Sequence, residues 1–249
     1  MENNPIDKLN ANDVFIYKDH LFAQVKNTLY SLQIQITPER EVVWGEVKKI
    51  SGPADLPDRA KGDPNNVNTK DMHRFPDWFT AQSPSGKLLY VNQSGSAVVF
   101  VFDLEHQKFL RTLKLKQEIE HLTVSDRYLV GHVYNDGEDN VRVYDLQGKE
   151  VKLIRKVCPR NIRGRITFLS GDGKHLVAQC SGYTFTEGKE YAGLQVFRTG
   201  TWDRVGEVVL PFETASQVVL SEDGKRVLFV DLEGKLQVWD LLASLRRVK

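Results

Sequence analysis

The side chains able to do chemistry are spread thinly along this chain. Its six histidines, His20, His73, His106, His121, His132 and His175, form no close metal-binding spacing with one another or with cysteine. His132 sits inside an apolar run and reads as a core or channel histidine. Cys158 and Cys180 lie far apart and fit no metal or redox spacing, so reduced structural thiols are expected. The acid pairs Glu118–Glu120 and Glu138–Asp139 would suit a glycosidase if they were buried, but each lies among polar turn residues and reads as solvated. The chain carries no Gly-x-Ser-x-Gly elbow, phosphate-binding loop or dinucleotide fingerprint. No catalytic residue, metal or cofactor is therefore expected.

Binding chemistry is better represented. Arg155, Lys156, Arg160, Arg163 and Arg165 form a run of cations without an acid, RKVCPRNIRGR. Arginine suits carboxylate and phosphate, so an acidic peptide or anion is one reading. The other is a solvated connection balanced by Asp136, Glu138 and Asp139, worth roughly 0–1 kcal/mol per exposed pair. His73 and Arg74 close a proline-rich stretch, and Trp78, Tyr183, Phe185 and Tyr191 stand in or beside irregular segments. Exposed aromatics and arginine are the usual anchors of protein interfaces. Phe79 reads instead as the start of a buried strand, while Tyr183 and Phe185 alternate with threonines and could equally extend a hairpin.

The elements that must position these residues are short and β-rich. A turn of the form Ser-x-x-Gly-Lys recurs at Ser83–Lys87, Ser170–Lys174 and Ser221–Lys225, each time followed by an apolar run. Further on comes a second signature, VFVFDL, VRVYDL, LQVFRT and LQVWDL. Asp103 to Asp145 is 42 residues, Asp145 to Arg198 is 53, and Arg198 to Asp240 is 42, the long interval holding an insertion around Ser181–Ala192. A period near 42 with about four strands per unit suggests one propeller blade per repeat. Runs such as VLFV at Val227–Val230 are apolar on both sides, as strands stacked between neighbouring sheets should be.

On those residues the chain resembles a divergent WD40-type β-propeller, with Trp239-Asp240 as the WD dipeptide and Phe102-Asp103 and Tyr144-Asp145 as its variants. The expected fold is all-β: a β-propeller of about five blades of four antiparallel strands. A lead-in of residues 1–12 would precede a single propeller domain over 13–249. The blades are expected at about 13–48, 77–115, 118–156, 165–210 and 216–249, with a long loop at 51–76. The last blade shows only three clear strands. An N-terminal strand, a ragged outer strand at Ala243–Val248 or a strand from a partner on an open ring would each complete it.

Composition narrows the function classes. Of 249 residues 41% are hydrophobic and 27% charged, and 34 basic against 33 acidic residues leave a net charge of +1. That balance gives no expectation of nucleic acid or an anionic membrane. The N-terminal MENNPIDKLNAND has no apolar core of a secretory signal, and no run reaches the roughly 18 apolar residues of a membrane helix, so a cytoplasmic protein is expected.

Strand alternation within a blade puts a–b and c–d turns at one end and b–c loops with blade-to-blade connections at the other. The irregular segments (Ser51–Pro76, Asn135–Asn140, Arg155–Arg165 and Ser181–Ala192) all belong to the second set. Loops carry function more often than the scaffold. The resemblance therefore implies a non-catalytic protein-interaction module (adaptor, subunit or substrate of a larger complex) docking a protein partner through that face. The alternative is an enzyme or small-ligand binder using the central channel.

Overall fold

The computed structural model of the chain describes residues 13–25, 28–50, 78–93, 96–119, 121–135, 138–158, 163–170, 172–184, 189–210, 218–221, 225–230, 233–241 and 243–245. Among these described residues nineteen strands form five sheets, each built in chain order. The first holds β1 (Asp13–Tyr17), β2 (His20–Val25), β3 (Thr28–Ile36) and β4 (Val42–Ile50). The second holds β5 (Trp78–Gln82), β6 (Leu88–Gln93), β7 (Ser96–Asp103) and β8 (Lys108–Ile119). The third holds β9 (His121–Val124), β10 (Tyr128–Asn135), β11 (Glu138–Asp145) and β12 (Glu150–Ile154). The fourth holds β13 (Arg163–Leu169), β14 (His175–Thr184), β15 (Lys189–Arg198) and β16 (Arg204–Val209). The fifth holds β17 (Val218–Leu220), β18 (Arg226–Val230) and β19 (Leu236–Asp240). The chain forms two compact units, Met1–Ser94 with Val98–Leu113 and Gly95–Ala97 with Lys114–Lys249.

The two repeat signatures are turn chemistry. In the Ser-x-x-Gly-Lys turn the serine Oγ accepts the N–H that opens the next strand: Leu88 to Ser83 at 3.0 Å, His175 to Ser170 and Arg226 to Ser221 both at 2.9 Å. Gly86 and Gly173 stand at φ +72° and +66°, where a Cβ would be strained, and each donates its N–H back to the serine carbonyl. The lysine carbonyl then accepts the N–H of the last residue of the second signature: Leu104 to Lys87, Thr199 to Lys174 and Leu241 to Lys225, at 2.7–2.9 Å. The aspartate of that signature caps the c–d turn. Asp103 Oδ1 accepts from His106 N–H, Asp145 Oδ1 from Gln147 and Lys149, and Asp240 Oδ1 from Ala243.

Cores form where sheets meet. In the first unit Phe22, Leu29 and Ile50 of the first sheet pack on Leu89, Phe100 and Phe102 of the second. In the second unit β14 is buried on both sides: Leu176 and Ala178 join Val130 and Val143 of the third sheet, while Val177 joins Val227 and Phe229 of the fifth. Trp202, turned inward at φ +62°, meets Tyr128 of the third sheet edge-on at 4.9 Å between centroids.

Three local expectations change. In the expected loop Asn135–Asn140 the described residues are paired strand, with Asn135↔Glu138 and Val133↔Asn140 in the β10–β11 ladder. Ser181–Ala192 is largely hairpin, with pairing continuing through Ser181↔Ala192 to Thr184↔Lys189. Glu118 lies within β8, because Leu113, Leu115 and Ile119 keep that strand's buried side going past the expected end. The expected loop 51–76 lies outside the described residues.

Candidate functional site

Where β12 ends, the chain crosses to the fourth sheet through Arg155, Lys156, Val157 and Cys158. Val157 and Cys158 turn inward and are buried, while Arg155 and Lys156 remain exposed. Lys156 adopts φ +54°, and its N–H is held by Asn140 Oδ1 at 3.3 Å. Cys158 is bonded to Cys180 on β14, so the reduced thiols expected from sequence are instead a disulfide. Their 22-residue separation says nothing about distance, because the connection and the β13–β14 hairpin fold the chain back on itself.

Tyr191 of β15 packs against this disulfide. Its ring lies along the strand over Gly193, where a Cβ would stand 2.5 Å from the phenol oxygen. The hydroxyl accepts from Gln195 Nε2 at 2.8 Å and donates to Glu207 Oε2 at 3.4 Å. Gln195 also donates to Glu207 at 3.1 Å, and Arg204 pairs with the same carboxylate oxygen at 3.0 Å. Burial, reinforced by the Glu207 charge, pushes the phenol up to about 12. The hydroxyl is thus a fixed hydrogen-bonding group of a half-buried ring beside the disulfide, and the exposed Arg155 and Lys156 stand three and two residues before Cys158 in the chain. Such a surface can recognise a carboxylate-bearing segment.

The sequence candidates are distributed unevenly around this patch. Arg155 and Tyr191 are the two whose side chains are described, and the Cys158–Cys180 bond ties together the segments that carry them. Trp78 opens β5, Arg163 and Arg165 lie on β13, and Tyr183 lies on β14; their side chains are outside the described set. His73, Arg74, Arg160 and Phe185 lie wholly outside it.

Sequence reasoning missed the residues that hold the patch, Gly193, Gln195, Glu207 and Arg204. The glycine two places after an aromatic in an otherwise bulky run was the available signal. It also missed a repeated polar position. The fifth residue of strand b is Gln24, Asn92, His132 and Gln179 in four successive sheets, and each is buried. Asn92 Nδ2 donates to Val98 O at 2.8 Å, and the His132 ring lies 6.3 Å from that of His121.

No protein-family model and no curated protein matches the chain. Solved structures do. The Cps50 (Swd1) beta-propeller domain of Myceliophteria thermophila matches with a TM-score of 0.57 and 12% identity, over 96% of this chain and 70% of that one. The Pan2 WD40 domain of Neurospora crassa matches at 0.56 and 12%, over 93% and 62%. Hydrazine synthase of Kuenenia stuttgartiensis matches at 0.53 and 11%, over 97% and 80%. With its five sheets in chain order and its recurring turns, the chain is in fold a WD40-like β-propeller of about five blades.

Proposed function

We propose that the chain is a non-catalytic protein-interaction module that docks a partner through the end of its sheets carrying the b–c hairpins and blade-to-blade connections. The observation that carries this reading is the Cys158–Cys180 bond. It fixes an exposed dibasic segment, Arg155-Lys156, to the sheet on which Tyr191 is held by Gln195 and Glu207. Pre-organised arginine and aromatic groups lose little entropy on binding, which is how interface anchors gain their affinity. The partner presents an acidic segment, and nucleic acid and membrane are not expected with a net charge of +1. The solved neighbours named for a Swd1 propeller domain and a Pan2 WD40 domain support the reading at the level of fold. A buried disulfide favours an oxidising compartment over the cytoplasmic setting expected from the sequence.

The test is affinity capture from a native extract, followed by direct binding of the purified pair. Wild type is compared with a folded variant carrying Arg155→Ala, Arg160→Ala and Arg163→Ala. Capture by wild type with at least a tenfold loss in the variant, about 1.4 kcal/mol, supports the reading. Equal capture by both moves the partner to another surface. A second reading, an enzyme built on the same fold, draws on the hydrazine synthase neighbour, and capture of nothing by either protein would shift the weight to it.

A further inference from the structure

We propose that the partner's acidic segment binds as an added β-strand along the outer edge of β12. The proposal rests on the reading above and states how that segment is held. β12 (Glu150–Ile154) ends the third sheet, whose order is β12-β11-β10-β9. Among the described residues one of its edges pairs with β11 and the other with no strand. Both of its flanks are packed by its own compact unit. Glu150 meets Lys116 of β8 at 3.3 Å on one side, and Ile154 packs with Leu176 and Ala178 of the fourth sheet on the other. The direction these elements leave open is the edge.

The ladder fixes which backbone groups point outward. Asp145 N–H donates to Lys149 O, so by alternation Val143 and Val141 also turn their N–H and C=O groups towards β12. Their opposite numbers Lys152 and Ile154 turn inward to meet them, and Lys156 N–H goes inward to Asn140 Oδ1. Leu153 and Arg155, which alternate with these, present their N–H and C=O groups outward. Such a row is the template on which a further strand is added.

Charge selects the strand. Lys149, Lys152 and Arg155 are exposed, and none of them is in an ion pair among the described residues. The Glu150 carboxylate is already taken by Lys116 and Arg142. On the corresponding strand of the fourth sheet, by contrast, Arg204 is answered by Glu207. Two β12 edges side by side would set like charges against one another, which disfavours a second copy as the occupant. A strand bearing carboxylates meets a cation on either face, because Lys152 and Arg155 fall on opposite sides of β12. The edge runs directly into the Arg155-Lys156 segment, so the two contacts are continuous.

The experiment is fluorescence anisotropy on the full chain with a short labelled peptide of alternating glutamate and valine. The peptide should bind, and more weakly as salt is raised. The same peptide N-methylated along its centre keeps every charge and loses those N–H groups, and should bind about tenfold more weakly or worse. In the chain, Arg155→Pro should bind about threefold more weakly than Arg155→Ala, since both lose the guanidinium and only proline loses the outward N–H. Lys149→Glu with Lys152→Glu should release the glutamate peptide and take up one of alternating lysine and valine, an exchange that misfolding cannot imitate. A glutamate peptide that does not bind wild type would overturn the proposal. So would equal binding of the N-methylated peptide, or a charge-reversed chain that ignores the lysine peptide. In each of those cases the acidic-partner reading still stands or falls on the capture test above, which reads the arginines and not the strand edge.

Discussion

Tyr191 owes its position to a side chain that is absent two residues on. A Cβ at Gly193 would lie 2.5 Å from the phenol oxygen and 2.8 Å from the carbon bearing it, so the ring can lie along the strand only over glycine. Gly193→Ala should expel the ring and lower stability by about 1–3 kcal/mol, seen as a lower Tm with altered near-ultraviolet circular dichroism. Tyr191→Phe keeps the ring and removes its hydrogen bonds to Gln195 and Glu207, a loss of about 1 kcal/mol. A Gly193→Ala variant that melts like wild type would show that the ring lies elsewhere. The same hydroxyl makes a pH prediction. Burial raises the folded phenol from the ordinary 10.0 to about 12, so the folded chain holds the proton more tightly than the unfolded one. Its contribution is intact below pH 10 and is lost as pH rises from there towards 12. Tyr144, raised to about 12 chiefly by burial, adds to that alkaline fall. Tyr191→Phe should flatten part of the slope and leave the Tyr144 part.

At the level of elements, an aspartate at the end of strand c has work to do only where the turn needs a side-chain acceptor. Asp145 Oδ1 takes two backbone N–H groups, from Gln147 at 3.0 Å and Lys149 at 2.9 Å. The fourth sheet has Arg198 at that place and closes its turn by backbone alone: Trp202 N–H donates to Arg198 O, and Arg198 N–H to Asp203 O. Asp145→Ala should therefore cost about 1–2 kcal/mol in chemical denaturation, and Asp145→Asn less, because the amide oxygen can still accept. Arg198→Asp should bring no gain; an equal gain there would mean that the cap is not the reason for the aspartate. This locality explains why the architecture was legible in the sequence. Serine, glycine and aspartate at fixed offsets dictate their own turns, and the turns punctuate the strands. The extension of β14 and β15 was not legible, because Tyr183 and Phe185 alternating with threonines fits a hairpin and an irregular loop equally. The end of β8 was missed because Lys116, Gln117 and Glu118 look like a polar turn until Ile119 is seen to be buried beneath Gly131. Of the candidate site, single anchors such as Tyr191 could be read, whereas its supports on β16 lie in a different strand and leave no local pattern.

At the level of the whole molecule, a protein made of sheets that bury one another draws its stability from the contacts between neighbours, so a covalent link between successive sheets acts on the coupling itself. Cys158 follows the last strand of the third sheet and Cys180 lies in the second strand of the fourth, at a sequence separation of 22. Closing a loop of that length in the unfolded chain stabilises the folded one by about 3 kcal/mol. Alanine at both positions leaves no buried polar group behind, so Cys158→Ala with Cys180→Ala isolates the loss of the link. The double variant should unfold at lower denaturant. Its faster amide exchange should be concentrated in β12, β13 and the segment around Cys158 and leave β2 and β3 of the first sheet unchanged. Wild type treated with a reductant under native conditions should lag well behind the variant, since Cys180 is fully buried and the reductant must wait for local opening. Protein taken from its native source and alkylated before reduction should carry no label on either cysteine. Two labelled thiols in that sample would place the chain in a reducing setting, and the Arg155-Lys156 segment would then lose its anchorage to the sheet that bears Tyr191.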